Sequence, residues 1–214
     1  MGTSKILLVE GNDDLHVLAA LCKKFNVPQS FHIKDCEGIN ELIKNLPVEF
    51  KAPDLKILGI IVDADADILS RWESLKNSLI KLEFNAPNNL PIEGLILTNE
   101  NNIRIGIWIM PNNNSNGMLE DFIELLIPNK DQLLPIVKNH LNTVETQRLN
   151  KYKEAHKSKA VIHSWLALQE RPGSPMGLSI TNKALDAKEA VCKPLINWLN
   201  NLFNNEITDT HTTQ

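Results

Sequence analysis

A chain of 214 residues with 43% hydrophobic and 22% charged residues has enough apolar material for an ordinary globular core without disulfide bonds. Its formal net charge of -4 excludes a global positive field, so a polyanion would have to bind through a local basic patch or bridging metal ions. The three cysteines form no CxxC pair and no apolar run approaches the length of a membrane span, so we expect reduced thiols, a cytoplasmic location and no membrane insertion.

The first half of the chain alternates strand and helix patterns. Continuous apolar runs are typical of strands buried on both faces of a parallel sheet, and apolar residues at helical spacing follow them. The predicted order is strand 6–9, helix 15–25, strand 31–33, helix 38–46 closed by a proline, strand 57–62 and helix 68–82. This alternation predicts βαβ units and a doubly wound, mainly parallel sheet.

The pattern changes in the second half. Two apolar segments, 94–98 and 103–109, flank four polar residues and predict an antiparallel hairpin. An Asn-rich loop and a helix start at 118–122 follow. Only helical patterns come after that, at about 131–145, 151–169 and 187–204. We therefore predict an α/β domain over 1–128, a helical extension packed on it over 129–207 and a disordered tail over 208–214.

Two of the predicted parallel strands end in acidic residues. Glu10 follows the first strand, and Asp63 and Asp65 follow the third. Because functional groups of a parallel sheet gather at the carboxyl ends of its strands, we expect these carboxylates to share one crevice, with Asp14 above the same edge. Asp63 and Asp65 would point to the same side if the backbone stays extended. Carboxylates brought together repel one another unless a cation lies among them, and oxygen ligands suit Mg²⁺ or Mn²⁺.

Each of these acids could instead cap a helix, because the helix dipole favours negative charge at its N-terminus. We expect Asp67, and one of Asp13 and Asp14, to serve in this way. The combination of a glutamate, a glycine and two strand-end aspartates one residue apart favours a metal site over separate caps.

The residues around these acids resemble a known signature. Residues 9–14 read VEGNDD and fit the VEGxxD pattern of the Toprim domain, and residues 62–65 read VDAD and fit its DxD pattern. The match covers about the first half of the chain. The whole chain is similar to small stand-alone Toprim-like proteins related to the OLD (overcoming lysogenization defect) nucleases.

This resemblance implies a Toprim-like doubly wound fold and a site in which Glu10, Asp63 and Asp65 are catalytic. The glutamate would act as general acid or base, while the aspartates, with Asp14 as a further ligand, would hold Mg²⁺ or Mn²⁺. The implied function is metal-dependent phosphodiester chemistry on nucleic acid, as in an OLD-like nuclease. No GxxxxGK[ST] motif occurs, so any ATPase would be a separate partner. The one tyrosine, Tyr152, lies in the helical part, which argues against a topoisomerase.

Three further residues are candidates for the same site. Glu120 begins a helix after the Asn-rich loop and could bind a second metal ion, although a first-turn acid also suits the helix dipole. Lys157 and Lys159 belong to the most basic run of the sequence and could contact a phosphate, or could simply be solvated.

Three other functions fit parts of the pattern. A non-catalytic Toprim-like regulatory or binding protein would suit the acidic composition. A receiver-like domain could use Asp63 as phospho-acceptor, but Gly11 interrupts the expected acid pair and no lysine follows the last strand. A haloacid-dehalogenase-type phosphatase would carry its DxD motif on the first strand, whereas here it follows the third.

Overall fold

The computed structural model describes residues 4–205. Five strands are present: β1 Lys5–Val9, β2 His32–Asp35, β3 Ile57–Asp63, β4 Leu95–Thr98 and β5 Arg104–Met110. The α-helices are α1 Asn12–Lys24, α2 Ile39–Phe50, α3 Ile68–Lys81, α4 Leu119–Glu124, α5 Leu133–Thr146, α6 Lys157–Ala167, α7 Met176–Thr181 and α8 Glu189–Phe203. A 3₁₀ turn, Glu154–His156, precedes α6.

The strands form one sheet in the order β2-β1-β3-β5-β4. Strands β2, β1, β3 and β5 are parallel, and β4 pairs antiparallel with β5. The predicted fold class, a mainly parallel α/β sheet with an antiparallel hairpin and C-terminal helices, is therefore confirmed. The carboxyl ends of β1 and β3 lie side by side, and that edge carries the acidic residues.

Each face of the sheet is covered by its own hydrophobic cluster. On one face Leu7, Val9 and Trp108 belong to a cluster that includes residues of α1 and of α4 to α8. On the other face Leu8 and Ile60 pack with residues of α2 and α3. The alternation of neighbouring β1 residues between the two clusters follows from the two-residue repeat of a strand. The helices after residue 129 thus share a core with the sheet.

Helix α8 lies directly on the sheet because two glycines make room for it. Gly59 of β3 and Gly106 of β5 are register partners. A Cβ atom at Gly106 would lie 2.5 Å from the side chain of Leu202, and one at Gly59 would lie 2.8 Å from that of Phe203. Any larger residue would therefore push the helix away from the sheet.

The C-terminal end of α8 is held by cations from the amino ends of two strands. Arg104 Nη1 donates to the carbonyl oxygens of Leu202 and Asn205 at 3.2 and 3.0 Å, and Lys5 Nζ donates to that of Phe203 at 2.7 Å. These bonds satisfy carbonyl groups that have no partner within the helix, and positive charge there is favoured by the helix dipole.

Two sequence-based expectations about helices are wrong. Helix α2 does not end before Pro47 but contains it and continues to Phe50. Leu42 and Leu46 are buried against the second cluster, and this packing outweighs the backbone hydrogen bond that proline removes. Helix α7 lies between the predicted helices 151–169 and 187–204 and was not predicted, because six residues are too few to show a helical repeat.

Within residues 4–205 every helix is too short or too polar to cross a lipid bilayer. The predicted tail at 208–214 lies outside the described residues.

Candidate functional site

The backbone brings Glu10 and Asp63 together at the carboxyl edge of the sheet. Glu10 directly follows β1, and Asp63 is the last residue of the neighbouring strand β3. The amide of Asp63 donates to Glu10 Oε1 at 2.9 Å, and the amide of Leu119, the first residue of α4, donates to Asp63 Oδ1 at 2.9 Å. Two strand ends and a helix N-terminus therefore meet at these two carboxylates.

Two further carboxylates reach the same place from the first turns of helices. Asp14 is 6% exposed, and its Oδ2 accepts from the amide of Gly11 at 3.1 Å. Its other oxygen, Oδ1, is buried and has no hydrogen-bond partner among residues 4–205. Glu120 is 3% exposed and lies 3.4 Å from the ammonium group of Lys159. We call Glu10, Asp14, Asp63 and Glu120 the acidic cluster.

A cavity of about 200 Å³ opens beside the acidic cluster. It is lined by Gly11, Asn12, Asp13, Asp14, Asp63, Leu119, Glu120 and Lys159. Of the residues that the structure describes, three of the four clustered carboxylates and a single cationic side chain line the cavity, so its field is negative.

Burial and mutual repulsion disfavour ionisation in the acidic cluster. Burial, followed by the charges of Asp14, Glu10 and Glu120, raises the pKa of Asp63 to about 9. Burial, followed by the charges of Glu10 and Glu120, raises the pKa of Asp14 to about 7. Burial also raises the pKa of Glu10. The site therefore favours either protons or an added cation among its carboxyl groups.

Asp65 is placed differently from the expectation of a continuous extended strand. Strand β3 ends at Asp63, and Asp65 has a left-handed φ of 54° and forms an isolated bridge with Gly117. Its Oδ2 lies 2.5 Å from a guanidinium nitrogen of Arg71. The charges of Asp65 and Arg71 both act on the pKa of Glu10, so this ion pair adjoins the acidic cluster.

The other predicted residues divide between the site and structural roles. Lys159 lines the cavity, whereas Lys157 pairs with Glu145 at 2.7 Å. Asp67 caps α3, as predicted, by accepting from the amides of Leu69 and Ser70. Of the two acids that begin α4, only Glu120 reaches the cavity.

Arg71 is the neighbour that the sequence-based analysis missed. It follows the DxD segment on α3, and its Nε is buried without a partner among the described residues. A basic residue in the second turn after a strand-end acid pair was the available signal, but it does not identify which acid the side chain will meet.

The chemistry of the donors fits a hard divalent cation. All candidate ligand atoms of the acidic cluster are carboxylate oxygens, which are the ligands that Mg²⁺ and Mn²⁺ prefer. The buried Oδ1 of Asp14 lacks a hydrogen-bond donor among residues 4–205, and a cation would take that place. Within residues 4–205, no three acidic, histidine or cysteine side chains are already arranged around a common metal position. Binding would therefore require the carboxylates to turn towards the ion.

Comparisons with known proteins give a family and a distant structural likeness. Two solved structures of the C-terminal region of the Xanthomonas campestris pv. campestris OLD protein, one phased with mercury and one with platinum, each superpose with a TM-score of 0.46. Identities are 14% and 16%; the alignments cover 92% of this chain and 95% and 92% of those chains. Likeness at this level assigns no function.

No curated protein matches the chain significantly in sequence. A family model does match it, over residues 4–204 and thus across almost the whole chain. The chain therefore belongs to the family described as "Protein of unknown function (DUF3226)".

Proposed function

We propose that this protein binds Mg²⁺ or Mn²⁺ at the acidic cluster and uses it to hydrolyse phosphodiester bonds in nucleic acid. The observation that carries the metal assignment is the buried Oδ1 of Asp14, which has no partner within residues 4–205 and belongs to a side chain that interacts with the charges of Glu10, Glu120 and Asp63. A cation would supply the missing partner and offset the burial and the mutual repulsion that together raise the pKa of Asp14 and Asp63.

Asp14, Asp63 and Glu120 are the residues that would hold the ion, because they line the cavity. A bound divalent cation would activate water and stabilise the leaving oxygen of a phosphodiester. Glu10, held against the backbone of Asp63, is the candidate general acid or base, since burial raises its pKa above the ordinary value. Lys159 stands at the cavity where its ammonium group could meet a phosphate oxygen.

The choice of nucleic acid as substrate is supported by the VEGxxD and DxD patterns that surround Glu10 and Asp63. The position of Asp65 modifies the role that those patterns imply. Because its carboxylate pairs with Arg71, we propose that Asp65 acts beside the cluster and becomes a ligand only if that ion pair opens. A separate ATPase partner stays a prediction.

The test combines metal binding with cleavage by the same preparation. We expect calorimetry to show binding of Mg²⁺ or Mn²⁺, and we expect the metal-loaded protein to nick plasmid or degrade single-stranded DNA. Asp63→Asn keeps the size of the side chain but removes its charge, so cleavage should fall by at least about a hundredfold.

Asp54→Asn is the matched control, because Asp54 is exposed in the loop before β3 and lies away from the cavity. Its activity should equal that of the unmodified protein. Metal binding without cleavage of DNA or RNA would favour the non-catalytic regulatory alternative, and absence of metal binding would refute the proposal.

A further inference from the structure

The helices α1 and α7 form a groove on the surface that leads away from the acidic cluster. Gly177 of α7 packs against the backbone of His16 in α1, where an added Cβ atom would lie 2.4 Å from the carbonyl oxygen of His16. Two cavities, of about 290 and 370 Å³, are lined by both helices. A third, of about 270 Å³, is lined by α7 and the segments on either side of it, and it shares Lys183 with the first.

Four exposed cations line these cavities. Lys23 and Lys24 come from the last turn of α1, Lys183 follows α7, and Arg171 precedes it. We call them the basic groove. Within residues 4–205, none of the four pairs with an acidic side chain, in contrast to Lys157 and Lys159. Among the described residues one acid, Glu170, lines the same cavities, so positive charge predominates.

A buried polar atom also points to a ligand in this groove. Ser179 lines the cavity that contains Arg171 and Lys183 and is 1% exposed. Its Oγ has no hydrogen-bond partner in the part of the chain that the structure describes. Buried hydroxyl groups in proteins are nearly always hydrogen-bonded to protein or water, so an oxygen-rich ligand would supply a hydrogen-bond acceptor for Ser179 Oγ. A hydroxyl donor beside two cations is suited to a phosphate group.

The groove and the acidic cluster are joined by one helix. Asn12, Asp13 and Asp14 at the start of α1 line the acidic cavity, and His16, in the same turn, lines the nearest cavity of the groove. From Asp14 to Lys24 the helix rises about 15 Å, which is about four phosphates along one strand of a duplex.

We infer that the basic groove holds the sugar-phosphate backbone of a nucleic acid, so that an adjoining phosphodiester reaches the acidic cluster. This inference rests on the proposed function and extends it to the surface that binds the substrate. Leu178, which is 45% exposed and lines the cavity of about 370 Å³, offers an apolar contact for a sugar or base. Cations near the end of α1 also favour its dipole, but that role requires no cavity and leaves Ser179 unexplained.

The test measures binding without cleavage. Fluorescence anisotropy with labelled single- and double-stranded DNA, and with RNA of the same sequence, is recorded in EDTA at about 50 and 200 mM salt. The double variant Lys23→Glu/Lys183→Glu should bind about tenfold or more weakly than the unmodified protein. The slope of log affinity against log salt should fall by about one for each lysine lost.

Lys51→Glu/Lys81→Glu is the matched control: it makes the same change of charge on exposed residues of the opposite face of the sheet. It should bind almost as well as the unmodified protein. Equal loss of affinity in both variants would overturn the inference, as would binding to anionic lipid vesicles with no binding to any nucleic acid.

The metal site at the acidic cluster and the nucleic-acid site at the basic groove can be refuted independently of each other. The groove variant should bind Mg²⁺ normally by calorimetry, because its substitutions leave the acidic cluster intact. Specific loss of nucleic-acid binding in a protein that binds no metal would support the groove and refute the metal site. If the unmodified protein cleaves DNA and the groove variant binds nucleic acid normally, the metal site is supported and the groove is refuted.

Discussion

At the scale of single residues, Asp14 carries the clearest stability cost. One carboxylate oxygen is buried without a partner, and burial raises the pKa of Asp14 to about 7. In Asp14→Asn the amide removes the charge and can donate to a neighbouring carboxylate. We expect the free energy of unfolding of the metal-free protein to rise by roughly 1 to 3 kcal/mol near neutral pH. Urea denaturation in EDTA measures this change.

The same substitution should weaken Mg²⁺ binding. The free energy of unfolding would then be higher without metal, and adding Mg²⁺ would raise it less than in the unmodified protein. Asp54→Asn, which alters an exposed carboxylate, should change neither quantity. A metal-free Asp14→Asn protein less stable than the unmodified protein would show that the Asp14 carboxylate is already satisfied.

How far the site could be predicted differs from residue to residue. Glu10 and Asp63 were predictable because each follows a buried parallel strand, and the register of β1 with β3 then fixes their proximity. The position of the Asp65 side chain was not predictable, because a left-handed φ turns the chain directly after the strand and the carboxylate pairs with Arg71. That conformation depends on the bridge to Gly117, which the local sequence does not specify.

At the scale of elements, the contact between α1 and α7 gives a test with a definite sign. Alanine is a better helix former than glycine, so propensity alone would make Gly177→Ala stabilising by up to about 1 kcal/mol. The added Cβ atom would instead lie 2.4 Å from a backbone oxygen that cannot easily move. We expect the free energy of unfolding to fall by about 1 to 3 kcal/mol, measured by urea denaturation.

Leu178→Ala is a suitable comparison, because it changes an exposed residue of the same helix. It should cost less than about 1 kcal/mol. A stabilised Gly177→Ala protein would mean that α7 does not approach α1 as closely as described.

Long elements were predictable and short ones were not. The apolar runs of β1 and β3 are continuous, and the apolar repeats of α3, α5 and α8 extend over more than two turns. Their patterns are therefore unambiguous. Helix α7 has six residues and is stabilised by packing on α1, a long-range contact that leaves no local pattern.

At the scale of the whole molecule, the acidic cluster links stability to pH. The folded-state pKa values of Asp63 and Asp14, about 9 and about 7, lie above the ordinary aspartate value of 3.8. Between the ordinary and raised values the folded protein keeps protons that the unfolded chain has lost. The contribution of these groups is therefore fully present below about pH 4 and is lost as the pH rises through 7 and 9.

We expect the metal-free protein to lose stability between about pH 5 and pH 9, and we expect Mg²⁺ to offset the loss at the alkaline end. At a metal concentration a hundred times the dissociation constant, the gain should be about 2.7 kcal/mol. Urea denaturation at several pH values, with EDTA or Mg²⁺, measures both effects. Asp63→Asn should flatten the dependence, and an equally steep dependence in that variant would assign it to other groups.

The basic groove also belongs to this scale, since no segment of the sequence contains it. Lys23 and Lys24 come from the first helix, whereas Arg171 and Lys183 come from the last third of the chain. The sequence drew attention to the lysines at 151–159, yet two of those are neutralised by Glu145 and Glu120 in the fold.

Because α8 packs on Gly59 and Gly106, one face of the sheet can be covered only after α8 has been synthesised. The central strands β3 and β5 are made early, but the helix that covers one of their faces ends at Phe203. During synthesis on the ribosome that apolar surface stays open until the residues of α8, up to Phe203, have emerged. The nascent protein would therefore be most prone to aggregation, and most dependent on chaperones, just before α8 is released.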